Sequence, residues 1–373
     1  DATASKKKIL FVSTYICVIA TACMAFAGPG CVWQSMALFI VANVAFGTGE
    51  DLIAAFLPEI SSVEQMGRIS AIGWAAGYIG CILNLGGSVL YIKYAMSQGL
   101  RATQYVPNIL LFCAAFFAVI VIPTFLFLKE RAVADPEARK HNPVVVGFQR
   151  LRTTLTHAVH YRDLFNFLIT LFLYSCGTTT VIHLASVYAQ KVLNFTQADS
   201  VMIILVVSLT AALGSWIFGS IQDKIGSVRT LRITLAIWTL AILVANLAQT
   251  KWQFCISAVL VGIAMGSTGS VGRAVVAQFS PEGRSGEFLG LWGMAVKLAT
   301  GLGAITFGVI TFLTHENYRL ALSSMFVFFF LGILMLSRVD EKRGRLAART
   351  DIEDPLEFGI AEGAGEAANL QDV

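Results

Sequence analysis

Apolar residues run in blocks of roughly twenty along nearly the whole chain, with short polar turns between them. Ten blocks stand out: Ile9–Ala27, Trp33–Leu57, Ile69–Ile92, Val106–Leu128, Asp163–Ala189, Ser200–Ile221, Thr230–Ala248, Trp252–Gln278, Glu287–Phe312 and Tyr318–Ser337. About twenty apolar residues in helical form cross about 30 Å of hydrocarbon, so the pattern predicts ten transmembrane helices. Two polar stretches interrupt it. In 129–162, Phe148, Leu151, Leu155 and Val159 share one helical stripe, with Arg150 and Arg152 off it. A helix lying on the membrane surface and a solvated linker helix both fit that stripe. The last stretch, 339–373, is acidic beyond Arg349 and poor in large apolar residues, which predicts a disordered tail.

Composition narrows the class. The 373 residues are 56% hydrophobic and 13% charged, against about 25% charged in water-soluble domains. The net charge of +4 sits in loops, a topology signal and not the footprint of a nucleic-acid binder. On one set of alternate loops lie twenty Lys and Arg; the other set has five, Lys93, Arg101, Lys191, Lys251 and Arg319. Such an excess predicts that both termini and the central loop face the cytoplasm. Six of the seven cysteines fall inside apolar runs, none with metal-ligand spacing, so they read as packing residues and no metal or cofactor is expected.

An internal repeat predicts the architecture. Phe56-Leu57-Pro58-Glu59, ending the second span, returns as Phe279-Ser280-Pro281-Glu282, ending the eighth, 223 positions later. Asp1, Ser5 and Lys7 return as Asp223, Ser227 and Arg229 at an offset of 222. The shared offset pairs spans one to four with spans seven to ten, leaving the fifth and sixth unpaired. Two parallel six-helix halves are the plan of the major facilitator superfamily. The expectation is an all-α, ten-helix piece of that twelve-helix fold, lacking two spans before Asp1. Residues 1–128 would form a truncated first half with an exposed flank, 129–162 a linker, and 163–338 a complete second half.

Local motifs extend the resemblance. Gly219, Asp223, Lys224, Gly226 and Arg229 resemble the superfamily's signature loop, a glycine turn with a carboxylate and basic groups near helix ends. Ala55-Phe-Leu-Pro58 and Gly67-Arg68-Ile-Ser70-Ala-Ile-Gly73-Trp74 resemble the branch of fungal vacuolar amino-acid effluxers linked to autophagy and their bacterial relatives. Arg273, Pro281, Glu287-Phe288-Leu-Gly290 and Lys297 match that branch's second-half pattern. The chain departs from it at Ile53-Ala54, where relatives often carry an aromatic-Asn pair, and at Ser267-Thr268-Gly269, where they are richer in Gln. The resemblance implies a secondary transporter of a small polar solute, such as an amino acid, with the bilayer as its surroundings and protons as the coupling ion.

Chemistry within the membrane points the same way. There is no G-x-x-x-x-G-K-[ST] phosphate cradle, no G-x-S-x-G elbow and no His-Glu-x-x-His pair, so no pump or hydrolase machinery is visible and an enzyme is not expected. The ionisable groups inside spans are Glu50, Asp51, His183, Arg273 and Lys297. Each is costly at mid-bilayer, at about 2.5–3.5 kcal/mol on insertion scales, and needs a partner or a wet cavity. Arg273 is long enough to snorkel, whereas Glu50 is not; His183 also fits a packing role. Glu50 and Arg273 are repeat-equivalent, each eight residues before a proline, or about 12 Å along a helix. Pairing of Glu50 or Asp51 with Arg273 or Lys297 across the halves is the expected gate. Gly73, Gly77 and Gly80 in the third span, with Gly286, Gly290 and Gly293 in the ninth, read as small faces for close helix approach. A scaffold built on the same helices is the competing reading; a dry, fully packed bundle would favour it.

Overall fold

The computed structural model describes residues 5–28, 30–130, 161–281 and 285–353. Helices in chain order are α1 Lys6–Met24, α2 Val32–Ala55, α3 Leu57–Ile60, α4 Met66–Ser97, α5 Ala102–Ile120, α6 Ile122–Phe127 and α7 Arg162–Leu193. They continue as α8 Gln197–Ile225, α9 Ser227–Leu247, α10 Lys251–Phe279, α11 Ser285–Leu313, α12 Tyr318–Ser323, α13 Met325–Leu336 and α14 Glu341–Glu353. Among the described residues these make ten segments long and apolar enough to span a membrane, matching the ten apolar blocks to within a few residues at most ends. The chain is an integral, multi-pass, all-α membrane protein.

Local chemistry sets the breaks. Thr196 and Asp199 form a reciprocal cap at the start of α8, and Thr250 with Gln253 does the same for α10. Gly226, at φ +91°, ends α8 and starts α9, a conformation that a side chain would strain. Pro58 and Pro123 sit just inside α3 and α6, where a missing N–H costs nothing, and break the second and fourth spans into two helices each.

Packing follows the repeat. Helix α1 lies against α2 and α5, as α9 lies against α10 and the α12–α13 span. The two groups meet through α4 against α8 and α10, and through α2 against α11. Trp238 of α9, fully buried, stacks on Phe329 of α13 with ring centres 5.8 Å apart and donates to Thr268 Oγ1 at 2.8 Å. The even number of spans brings the start of α1 and the end of α13 to one end of the bundle, called here the basic face for its Lys and Arg content.

One expectation about the polar stretches changes. The expected disorder over 339–373 does not hold at its start, because α14 is helical over Glu341–Glu353. Tertiary contacts order it: Asp163 of α7 accepts from the Asp340 amide at 2.8 Å and takes the Arg343 guanidinium at 2.5 Å, while Gly344 lies against the Phe279 ring. Glu341 adds an i,i+4 pair with Arg345 at 2.5 Å. Residues 354–373, and the striped segment with Phe148 to Val159, lie outside the described residues.

Candidate functional site

A polar seam closes the bundle near its basic face. Ser70 of α4 donates to the Ser270 carbonyl of α10 at 2.9 Å, and Ser215 of α8 donates to the Ala71 carbonyl at 2.8 Å. Beside them the Gln222 and Asp223 side chains lie against Gly67, and Gly219 lies so close to Ala71 that any side chain there would overlap it. Deeper in the same interface, Arg273 of α10 donates from Nε to Ser70 Oγ at 3.1 Å and from Nη2 to the Ser70 carbonyl at 2.9 Å. Its guanidinium lies over the Trp74 ring at 5.8 Å.

The other crossing, α2 on α11, carries an ion pair. Asp51 Oδ2 meets Lys297 Nζ at 2.6 Å, so of the four pairings open in the sequence this one forms. Gly293 makes room for it: a side chain there would collide with the Asp51 carboxylate. The pair spans the two groups of helices in a medium where either charge alone would be costly. No ion pair joins Glu50 to Arg273, contrary to the pairing that repeat equivalence suggested. Helix α2 packs on α11 and α10 packs on α4, so these two equivalent residues face different partners.

Between the seam and the opposite face is a cavity of about 590 Å³. Its walls come from 73–81 of α4, 182–189 of α7, 200–208 of α8 and 261–273 of α10, with Glu50 from α2. The lining residues of α7 and α8 lie in the halves of those helices remote from the basic face. Glu50, Arg273 and His183 share this wall; His183 is exposed and its side chain makes no hydrogen bond among the described residues. A second space of about 150 Å³ adjoins it through Glu50, Trp74 and Tyr78 and reaches Asp51 and Lys297. Glu50, His183 and Arg273 thus line the larger cavity and Glu50, Asp51 and Lys297 the smaller, with Glu50, Trp74 and Tyr78 lining both. Tyr78 OH, Trp74 Nε1 and Asp51 Oδ1 border it without a hydrogen-bond partner among the described residues. Buried polar atoms of this kind call for a partner, and water or a polar solute supplies one.

Sequence reasoning missed Trp74 and Tyr78 as site residues; aromatic side chains in a span resemble ordinary lipid-facing or core positions, and only the cavity separates them. The glycine faces need correcting. A side chain at Gly77 or Gly290 would meet nothing within 4 Å, and one at Gly80 only an ordinary contact with Ile120. Gly73 faces the Arg273 guanidinium and Gly293 the Asp51 carboxylate, so these two border the site. Gly286 is half-buried near the start of α11. Close backbone approach belongs to other glycines: Gly214 of α8 with Gly262 and Gly266 of α10, each against the facing helix backbone. Within the signature loop, Gly219 and Asp223 face α4 and Gly226 makes the turn, while Lys224 and Arg229 make no ion pair among the described residues.

Residues 1–349 match a family described as vacuole effluxer Atg22 like. A Bacillus subtilis protein described as an uncharacterized MFS-type transporter, YxiO, is 26% identical over 359 residues, covering 95% of this chain and 82% of the relative. Autophagy-related protein 22 of Kluyveromyces lactis is 23% identical over 342 residues, covering 84% of this chain and 68% of its own length. Among solved structures, the proton:xylose symporter XylE superposes with a TM-score of 0.70 at 13% identity, over 91% of this chain and 81% of that one. The transporter FucP in the outward conformation superposes with a TM-score of 0.67 at 12% identity, over 90% and 83%. Identities this low carry the fold alone, and the fold is that of the major facilitator superfamily.

Proposed function

The chain belongs to the Atg22-like vacuole effluxer family of major facilitator transporters, and from that premise we propose that it carries a small zwitterionic solute, such as an amino acid, by alternating access. The observation that carries the reading is the hollow in which Glu50 and Arg273 face a common space of about 590 Å³. Arg273 keeps Nη1 free after its two bonds to Ser70, and can receive a carboxylate. The Glu50 carboxylate makes no hydrogen bond among the described residues and can receive an ammonium group or a proton. Trp74 and Tyr78 supply aromatic surface between them.

In this reading the structure is the state closed at the basic face, and the Asp51–Lys297 pair together with the Ser70–Arg273 contacts forms the gate. Opening toward the basic face separates α4 from α8 and α10, and α2 from α11. Solute or proton binding at Glu50 shifts the balance between states because it neutralises charge in one of them. The excess of basic residues on that face supports a cytoplasmic orientation for both termini. The two cavities, bordered by the unpartnered Tyr78 OH, Trp74 Nε1 and Asp51 Oδ1, argue against a pure scaffold.

Reconstitution into vesicles tests this. Saturable uptake of radiolabelled amino acids, accelerated by an imposed pH gradient and reduced about tenfold or more by Glu50→Gln, is expected; a tenfold loss corresponds to about 1.4 kcal/mol. Equal leak in protein-containing and empty vesicles across an amino-acid panel contradicts it.

A further inference from the structure

On the basic face, outside the transport hollow, a cleft of about 770 Å³ opens between the start of α9, the end of α13 and α14. Six cationic residues line it: Arg229, Arg232, Arg338, Lys342, Arg343 and Arg345. Two are already neutralised, Arg343 by Asp163 at 2.5 Å and Arg345 by Glu341 at 2.5 Å. The two acids of the cleft are occupied as well. Asp340 accepts the amides of Lys342 and Arg343, and Glu341 accepts the Val228 amide at 3.1 Å. Arg229, Arg232, Arg338 and Lys342 are exposed and make no side-chain ion pair or hydrogen bond among the described residues.

The level of the cleft decides what fits it. It lies where two membrane-spanning helices end, and exposed apolar side chains continue from it into the bundle's outer surface. Ile233 follows Arg232 on α9; Leu334 precedes Arg338 by one turn on α13, and Phe330 lies one turn further in. Unpaired cations above an outward apolar stripe match a molecule with a phosphate head and hydrocarbon tails. We propose that this cleft binds one anionic phospholipid, its phosphate held by Arg229, Arg232, Arg338 and Lys342 and its acyl chains lying along α9 and α13. The bound headgroup bridges α14 to α9 and α13, and so holds α14 in place.

Native mass spectrometry of the detergent-purified protein, titrated with dioleoyl phosphatidylglycerol, measures the affinity. One saturable lipid is expected, with phosphatidylcholine binding far more weakly. Arg232→Gln with Arg338→Gln should weaken it about 30-fold, from roughly 1 kcal/mol per cation near a membrane surface. Removing the same charge on the opposite face, by Lys93→Gln with Arg101→Gln, should leave it within about twofold. If the first double variant fails to fold, Lys342→Gln alone should weaken binding about fivefold. Equal losses from both double variants, or none from the first, would overturn the site. Displacement of the lipid by inorganic phosphate at matching concentration would show a free-anion site and overturn the lipid assignment.

Discussion

At the scale of single residues, the five ionisable groups within spans fall into two kinds. Asp51 and Lys297 neutralise each other at 2.6 Å, whereas Glu50, Arg273 and His183 face open space in the cavity wall. Paired charges hold a state; unpaired ones bind something. Asp51→Asn and Lys297→Met should therefore each slow transport by about tenfold or more, while the reversed pair, Asp51→Lys with Lys297→Asp, should recover part of the rate. Initial rates in vesicles for the two single variants and the swap check this, and a swap no better than the worse single variant counts against a functional pair. Arg273→Lys should raise the solute's half-saturating concentration more than it lowers the maximal rate, because an ammonium cannot hold Ser70 and a carboxylate together with a guanidinium's geometry. The five groups were legible in the sequence because charge inside an apolar run is itself conspicuous. Their partners were not, since a carboxylate at position 50 or 51 is one residue from facing a different helix.

At the scale of helices, the ten spans were legible from apolar length alone, which the bilayer imposes on any helix crossing it. Helix α14 was not: its residues are mostly polar, and its order comes from Asp163, Phe279 and Val228 on other elements. Glycine spacing was half legible. Periodicity tells which glycines share a face, but not whether that face meets a helix, a cavity or lipid. Gly77 and Gly266 separate these cases. Gly77→Ala should leave detergent stability unchanged or raise it by up to about 1 kcal/mol, because no atom lies within 4 Å of the added carbon and Ala favours the helix. Gly266→Val should destabilise by about 1–3 kcal/mol or prevent folding, because it forces α10 away from the Ala211 backbone of α8. Melting temperatures of the two purified variants distinguish them; equal loss at both sites would remove the assignment of the close contact to α8 and α10.

At the scale of the whole molecule, the 223-residue offset also relates contacts. Arg273 meets Ser70 and Trp74 across the α10–α4 crossing, while Asp51 meets Gly293 and Lys297 across the α2–α11 crossing. Subtracting 223 from 293 and 297 gives 70 and 74, and from 274, the neighbour of Arg273, gives 51. The two crossings are thus repeats of one contact, and the closed basic face rests on both. Ser285 bonding to the Ala55 carbonyl at 3.3 Å and Gln278 bonding to the Val63 carbonyl at 3.3 Å repeat the relation nearer the basic face. Small hydroxyl-to-carbonyl bonds across such a seam are weak enough to break and re-form, which suits a gate better than a permanent joint. The seam itself offers the most direct measurement. With the seven native cysteines replaced, Ala71→Cys and Ser215→Cys bring two thiols to the crossing where Ser215 now bonds to the Ala71 carbonyl at 2.8 Å. Oxidation of that pair should abolish transport in vesicles, and reduction should restore it, because closure at the basic face is then permanent. Undiminished transport by fully cross-linked protein would contradict the account.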